Sequence, residues 1–116
     1  MATISLMQLL QGYLKVTSDR QQLVASNIAN VDTPGYHVKD VNFQSAMQQV
    51  MLKGDDAQLG PAINDVEGLP ERPDGNNVNI DREARLLAEN AMRFSIASNF
   101  ARSELNSVKT AIQESK

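Results

Sequence analysis

At 116 residues and 12.7 kDa the chain has room for about one domain. Aromatics make up only 4% with no Trp, so a core must come from Leu, Ile, Val, Met and Ala, which favours helices over a β sandwich or barrel. A net charge of −3, a pI near 5.0 and the lack of any Lys or Arg run exclude the basic footprint of a nucleic-acid binder. With no cysteine, disulfides, thiolate catalysis and Cys-ligated zinc are excluded, while either redox compartment stays open.

The N-terminal stretch MATISLMQLLQGYLKV has no basic segment ahead of a continuous apolar run, and nothing in the chain approaches the ~18 apolar residues of a membrane span. Export is therefore expected to need no cleaved signal peptide. From Thr3 to about Val31 the apolar residues keep helical spacing. One stripe holds Met7, Leu10, Leu14, Val24, Ile28 and Val31, with Thr17 and Gln21 as polar members. Its neighbour holds Leu6, Leu9, Tyr13, Val16 and Leu23, followed by Arg20, Asn27 and Asn30 as polar members. Two adjoining stripes make a face wider than one partner helix covers. Ser5 and Gln8 have capping-box spacing, with Thr3 as an alternative cap. Gly12 is a weak point where a break is allowed, at about 1 kcal/mol against Ala.

Asn27 and Asn30 in SNIAN have two readings. They are polar members of a helix seam that set register and partner choice, or they cap the helix end together with Asp32 or Thr33. Pro34 steers Thr33 out of the α region, and Pro-Gly suits the centre of a type II turn from Thr33 to Tyr36. HVKDVNF then runs on extended. Asn42 suits the cap of a short helix over residues 43–53, with Phe43, Met47, Val50 and Met51 on one face and Gly54 as its stop. Residues 54–78 hold four of the six glycines, three of the four prolines and six acidic residues against one Arg. A mobile, acidic loop is expected there.

The last helix, over residues 79–114, is the most regular. Ile80, Ala84, Leu87, Ala91, Phe94, Ser98, Ala101, Leu105, Val108 and Ile112 recur at alternating steps of four and three, a heptad seam with Ser98 as its polar member. Asn79 is placed to cap it, Asp81 and Glu83 put negative charge in the first turn, and Lys109 and Lys116 lie toward the far end. At 1.5 Å per residue the two long helices run about 43 and 52 Å. The expected fold is mainly α: long N- and C-terminal helices packed in coiled-coil fashion, joined by a short helix and a long flexible acidic loop. With broad apolar faces and no third long helix, such a monomer is marginal alone and is expected to bury more surface on copies or relatives.

No catalytic constellation stands out. His37, the only histidine, sits beside Tyr36 in a loop and reads as partly exposed. DGNNVNIDREAR, starting at Asp74, has the outline of a calcium loop. Asn79 stands where the turn glycine is needed and Arg85 where the bidentate Glu is needed, so a capped helix start accounts for it better. No enzyme activity, cofactor, metal or small-molecule substrate is expected.

The stretch SNIANVDTPGYHVKDVNF resembles the N-terminal signature of bacterial flagellar rod and hook axial proteins. In these an S-N-[IL]-A-N segment ends the first helix ahead of a turn. The match is best to the proximal rod (FlgB-type) family, whose members are short. They carry T-P-G-[YF], here Thr33, Pro34, Gly35 and Tyr36, then D-x-x-F, here Asp40 and Phe43. Their last helix opens with D-G-N-x-V-x-[ILM]-D-x-E, here Asp74, Gly75, Asn76, Val78, Ile80, Asp81 and Glu83. The resemblance covers both long helices and both junctions, leaving mainly residues 54–73 outside it. It implies a structural subunit of the basal-body rod that transmits torque. Such a subunit is exported through the flagellar type III apparatus and lies in the periplasm-spanning rod. It associates with itself, with other rod proteins and with the membrane ring or its adaptor. The assembly contacts are then expected on Leu10, Leu14, Val24, Asn27, Ile28, Asn30, Leu87, Phe94, Leu105 and Val108, with the turn from Thr33 to Tyr36 as the exit from the helix. The alternatives are another short axial rod protein, or a small secreted helical-hairpin adaptor or effector of the W-x-G type. The missing Trp and the long central excursion weigh against the last.

Overall fold

The computed structural model describes residues 5–114, apart from the side chain of Asp55. Thr3, the expected helix start and alternative cap, and the C-terminal Lys116 lie outside the described residues. Helix α1 (Leu6–Ala29) starts where Ser5 and Gln8 close a capping box: the Gln8 N–H donates to Ser5 Oγ at 3.1 Å and the Ser5 N–H to Gln8 Oε1 at 2.9 Å. It ends at Ala29, two residues before the apolar periodicity does, because Asn30 leaves helical geometry as the C-cap. The turn that follows has the Tyr36 N–H donating to Thr33 O at 3.2 Å and Gly35 at φ 74°, the geometry that Pro-Gly favours.

A short strand, β1 (Lys39–Val41), leads into helix α2 (Phe43–Lys53), where Asn42 Oδ1 accepts from the Ser45 N–H at 3.0 Å. Two 3-10 turns, Gly54–Asp56 and Gly60–Ala62, bring the chain back to strand β2 (Ile63–Asp65). This pairs antiparallel with β1, Lys39 opposite Asp65 and Val41 opposite Ile63. Helix α3 (Ile80–Glu114) opens with Asn79 Oδ1 accepting from the Arg82 N–H at 3.0 Å.

The middle residues of the two stripes of α1 meet different layers. Val16 and Leu23 of one stripe enter the core with Val41, Ala46, Val50, Leu59 and Ala62, and Tyr13 stacks edge-on against Phe43 with ring centroids 5.3 Å apart. Thr17 and Gln21 of the other stripe bond Asn90 on α3. The long helices run antiparallel: Asn27 bonds Glu83 at one end, and Leu10 lies beside Ala97 and Phe100 toward the other. Continued at this register, Leu6 falls opposite Glu104, and α3 from Leu105 onward runs past the described start of α1. The result is elongated, 68 × 30 × 17 Å with a radius of gyration of 17.8 Å, against about 13 Å for a compact chain of this length.

The helix does not break at Gly12. A Cβ built there would stand 2.1 Å from Val50 Cγ1, so the missing side chain is what lets α2 lie against α1. Val50 cannot swing aside cheaply, being β-branched and in a helix. Gly12→Ala is expected to lower stability by about 1–3 kcal/mol despite the roughly 1 kcal/mol helix-propensity gain. Urea unfolding checks this, and a stabilised variant would mean that α2 does not pack at this distance.

Two expectations are corrected. Residues 54–78 are not a structureless excursion. Leu59 and Ala62 are buried in the core, Asn42 N–H donates to Ala62 O at 2.7 Å, and Val66 N–H donates to Val38 O at 2.9 Å. Gly54, Gly68 and Gly75, at positive φ, serve sharp reversals there. On α2, Ala46 and Val50 form the buried face and Met51 points outward.

Charge follows the strand pairing. Lys39 Nζ donates to Asp65 Oδ1 at 2.7 Å across the sheet. This hydrogen bond holds the Asp65 carboxyl below its ordinary value and the Lys39 ammonium above its own. The pair's contribution is present between the two ordinary values. It fades as pH falls through the lowered Asp65 value or rises through the raised Lys39 value. Lys39→Ala is expected to return Asp65 toward an ordinary carboxylate in an NMR pH titration; an unmoved titration would remove the pairing.

Candidate functional site

The two motif-rich junctions, SNIANVDTPGY and RPDGNNVNIDRE, fold onto each other. Asn27, on the last turn of α1, uses all four hydrogen-bonding positions of its side chain. Its Nδ2 donates to Lys39 O at 2.9 Å and to Glu83 Oε1 at 2.6 Å, while its Oδ1 accepts from the Tyr36 hydroxyl at 2.8 Å and the Lys39 N–H at 3.2 Å. The amide thus pairs with the backbone of β1 as a neighbouring strand would, and reaches α3 with its remaining hydrogen. Glu83 is fully buried in the first turn of α3, where the helix dipole favours a carboxylate, and its Oε2 accepts from Arg82 Nη1 at 2.6 Å.

Asn76 and Asn77 close the other half. Asn76 Nδ2 donates to both Asn30 O and Thr33 O at 2.8 Å, which satisfies carbonyls at the end of α1, and its Oδ1 accepts from the Val78 N–H at 2.8 Å. Asn77 Oδ1 accepts from the Val38 N–H at 2.7 Å. The Gly35 N–H donates to Asp74 O at 2.8 Å, and Gly75, at φ 85°, would place a Cβ only 3.4 Å from Gly35 Cα. The two glycine turns therefore pack back to back, which a side chain at Gly75 would oppose. Arg72, the one arginine of the acidic segment, donates to Val78 O at 3.0 Å and to Val31 O just beyond α1, where a cation suits the helix end.

The remaining motif residues are structural as well. Asp40 receives a bidentate pair from Arg20 Nε and Nη2 at 3.0 and 3.1 Å. Asn30 Nδ2 donates to Ser26 O at 2.8 Å and its Oδ1 accepts from Thr33 Oγ1 at 3.0 Å, so Asn30 caps its own helix. His37 is exposed at the surface, with Nε2 3.1 Å from Glu71 Oε1. Among the described residues no group of His, Asp and Glu side chains is arranged to hold a metal ion.

The expected contact residues separate by burial. Val24 and Asn27 are enclosed within the chain, and Leu10, Leu14, Ile28, Asn30 and Leu87 are half-buried. Phe94, Leu105 and Val108 are 41%, 57% and 50% exposed. Thr33, Pro34 and Gly35 are exposed, and Tyr36 is half-buried by its bond to Asn27. Along α3 the buried positions are Glu83, Asn90 and Ala97, seven apart. The helix therefore turns a partly polar line toward α1, rotated from the apolar seam that runs from Ile80 to Ile112. Asn90 anchors this line, its Nδ2 donating to Thr17 O at 2.6 Å and Gln21 Oε1 at 2.9 Å. Glu83, Asn90, Asn76, Asn77 and Arg72 were not singled out as contact-forming residues from sequence. The seven-residue recurrence of Glu83, Asn90 and Ala97 was the available signal, masked by the stronger apolar one beside it.

A family model described as "Flagella basal body rod protein" matches residues 7–37, which take in α1 from its second residue and the Pro-Gly turn. The flagellar basal body rod protein FlgB of Salmonella typhimurium is 30% identical over 123 residues, covering 89% of both chains. Its namesake in Escherichia coli is 29% identical with the same coverage, and that of Borrelia hermsii is 32% identical over 87% of this chain and 90% of its own. Likeness at that level, extending across both helices and both interlocked junctions, means that the chain belongs to the flagellar basal body rod protein family.

Proposed function

We propose that the chain is a structural subunit of the proximal rod of the flagellar basal body, and that it associates with copies and relatives through the exposed seam of α3. The observation that carries this is the division of α3 into two faces. Glu83, Asn90 and Ala97 satisfy α1, while Phe94, Leu105 and Val108 remain exposed along one side of an elongated molecule. Large apolar residues in a row on a surface mark a binding face. The interlocked junctions support the same reading, since a subunit that transmits torque needs its two long helices held at a constant register. Self-association, contact with the membrane ring or its adaptor, and passage through the type III export apparatus complete the proposal, and the role is architectural with no chemical step.

Chromosomal deletion tests it. Cells lacking the chain are expected to carry neither hook nor filament, and the tagged chain is expected to copurify with basal bodies; motile, flagellated deletion cells would falsify the proposal.

A further inference from the structure

The closed junctions also hold a chemically labile bond. Asp74-Gly75 is the only Asp-Gly pair in the chain, and there is no Asn-Gly pair. In such a pair the glycine nitrogen can attack the preceding side-chain carboxyl, because glycine has no Cβ to hinder the approach and turns freely into the conformation required. Every other Asp is followed by a residue with a side chain. Asp74 is exposed, so water reaches it.

The fold ties each reacting group to a different partner. The Gly75 N–H donates to Arg72 O at 2.8 Å, Asp74 Oδ1 accepts from the Asn76 N–H at 3.0 Å, and Asp74 O accepts from the Gly35 N–H at 2.8 Å. Nucleophile, carboxyl and main-chain carbonyl are thus all committed. The partners are in turn fixed by the other junction. Arg72 donates to Val31 O, the fully buried Asn76 donates to Asn30 O and Thr33 O, and Gly35 belongs to the Pro-Gly turn itself.

We propose that Asp74-Gly75 is a site of spontaneous isoaspartate formation which the interlocked junctions suppress, so that the modification marks chains whose junctions stand open. In an open chain Gly75 N bonds to Asp74 Cγ of the protonated carboxyl. The nitrogen's proton and the carboxyl hydroxyl leave together as water, and a succinimide ring closes. Water then adds to the former peptide carbon of Asp74, and the bond from that carbon to Gly75 N breaks as the proton returns to nitrogen. Addition at Cγ instead restores Asp. One water is released and one consumed, so mass is unchanged and nothing is oxidised. The product cannot reclose the junction. Its main chain runs through Cγ, one methylene longer, and the carbonyl that accepted from Gly35 has become a free carboxylate branch. Asn76 is displaced from Asn30 O and Thr33 O. The step is therefore one-way, and it holds whatever the chain assembles with.

The full-length chain is incubated at neutral pH in native buffer and, in parallel, in guanidinium. After the denaturant is removed, digestion with Asp-N, which cuts before Asp and not before isoaspartate, leaves an uncut product at residue 74 that mass spectrometry quantifies. The unfolded chain is expected to accumulate isoaspartate at least about tenfold faster than the folded one, since reaction through an open state scales with that state's population. Asn27→Ala, remote in sequence from the reacting pair, is expected to raise the native-buffer rate several-fold, and Gly75→Ala to slow the reaction in the unfolded chain. The separated isoaspartate form, returned to native buffer, is expected to unfold at a lower denaturant midpoint than the unmodified fraction. No product in the unfolded chain overturns the site, and equal rates in folded and unfolded chains overturn the suppression. Indifference to Asn27→Ala leaves protection to the local turn alone and overturns the role of the interlock. An unchanged midpoint overturns the one-way step.

Discussion

Asn27→Ala is expected to destabilise the monomer by about 3–5 kcal/mol, a large fraction of the roughly 5–15 kcal/mol that holds a domain of this size. The substitution removes four hydrogen bonds at once. It leaves the Lys39 backbone N–H and C=O, the Tyr36 hydroxyl and one oxygen of a fully buried Glu83 without that partner. Each unmet buried group costs about 1–3 kcal/mol, more for a charged one, although solvent entry and relaxation recover part of the sum. Asn27→Asp is expected to be at least as damaging. It keeps the shape but loses the two donor hydrogens and sets a second carboxylate against Glu83. Urea unfolding measures the loss, and a double-mutant cycle with Glu83→Gln separates the pairwise share. Circular dichroism should show α1 retained more than the junction, since the capping box at Ser5 and Gln8 is untouched. A loss below about 1 kcal/mol would mean that Asn27 is not enclosed as described.

Val108→Asp is expected to do the reverse, abolishing motility while leaving the monomer's stability within about 0.5 kcal/mol. Val108 is half exposed, so the folded monomer solvates a carboxylate there easily. A neighbouring subunit that covers the position does not, because burying an unpaired charge costs several kcal/mol. Phe94→Asp should share the motility defect with a larger effect on folding, since part of the ring lies against the groove between the long helices. The pair of experiments separates two ways of losing a rod. Asn27 variants fail through unfolding and low abundance, Val108→Asp through a surface that no longer fits. Swimming cells carrying Val108→Asp, with normal hooks and filaments, would take the C-terminal half of α3 out of the assembly interface.

Local chemistry was legible where neighbouring residues decide the outcome. The capping box at Ser5 and Gln8, the caps at Asn42 and Asn79, and the Pro34-Gly35 turn each depend on groups within about four residues, so side-chain type and spacing suffice to specify them. The long terminal helices were legible for the same reason, their periodicity being sustained over many turns. Less legible were β1 and β2, three residues each, whose pairing joins positions far apart in the chain. Composition also misled over residues 54–78, because Gly and Pro report the capacity to turn and do not say whether Leu59 and Ala62 find a core to enter.

The site divides along the same line. Periodicity alone identified Phe94, Leu105 and Val108 as members of one apolar face. It did not say which face of α3 meets α1. That was settled by Thr17, whose carbonyl accepts from Asn90, and by Glu83, which accepts from Asn27 across 56 positions of sequence. A hydrophobic pattern records how much surface must leave water, since burial is non-directional and proportional to area. Hydrogen bonds are directional and need their partners already placed. Which line of α3 is buried against α1 and which apolar stripe stays exposed was therefore decided only when the buried amides and carboxylate found their partners in three dimensions.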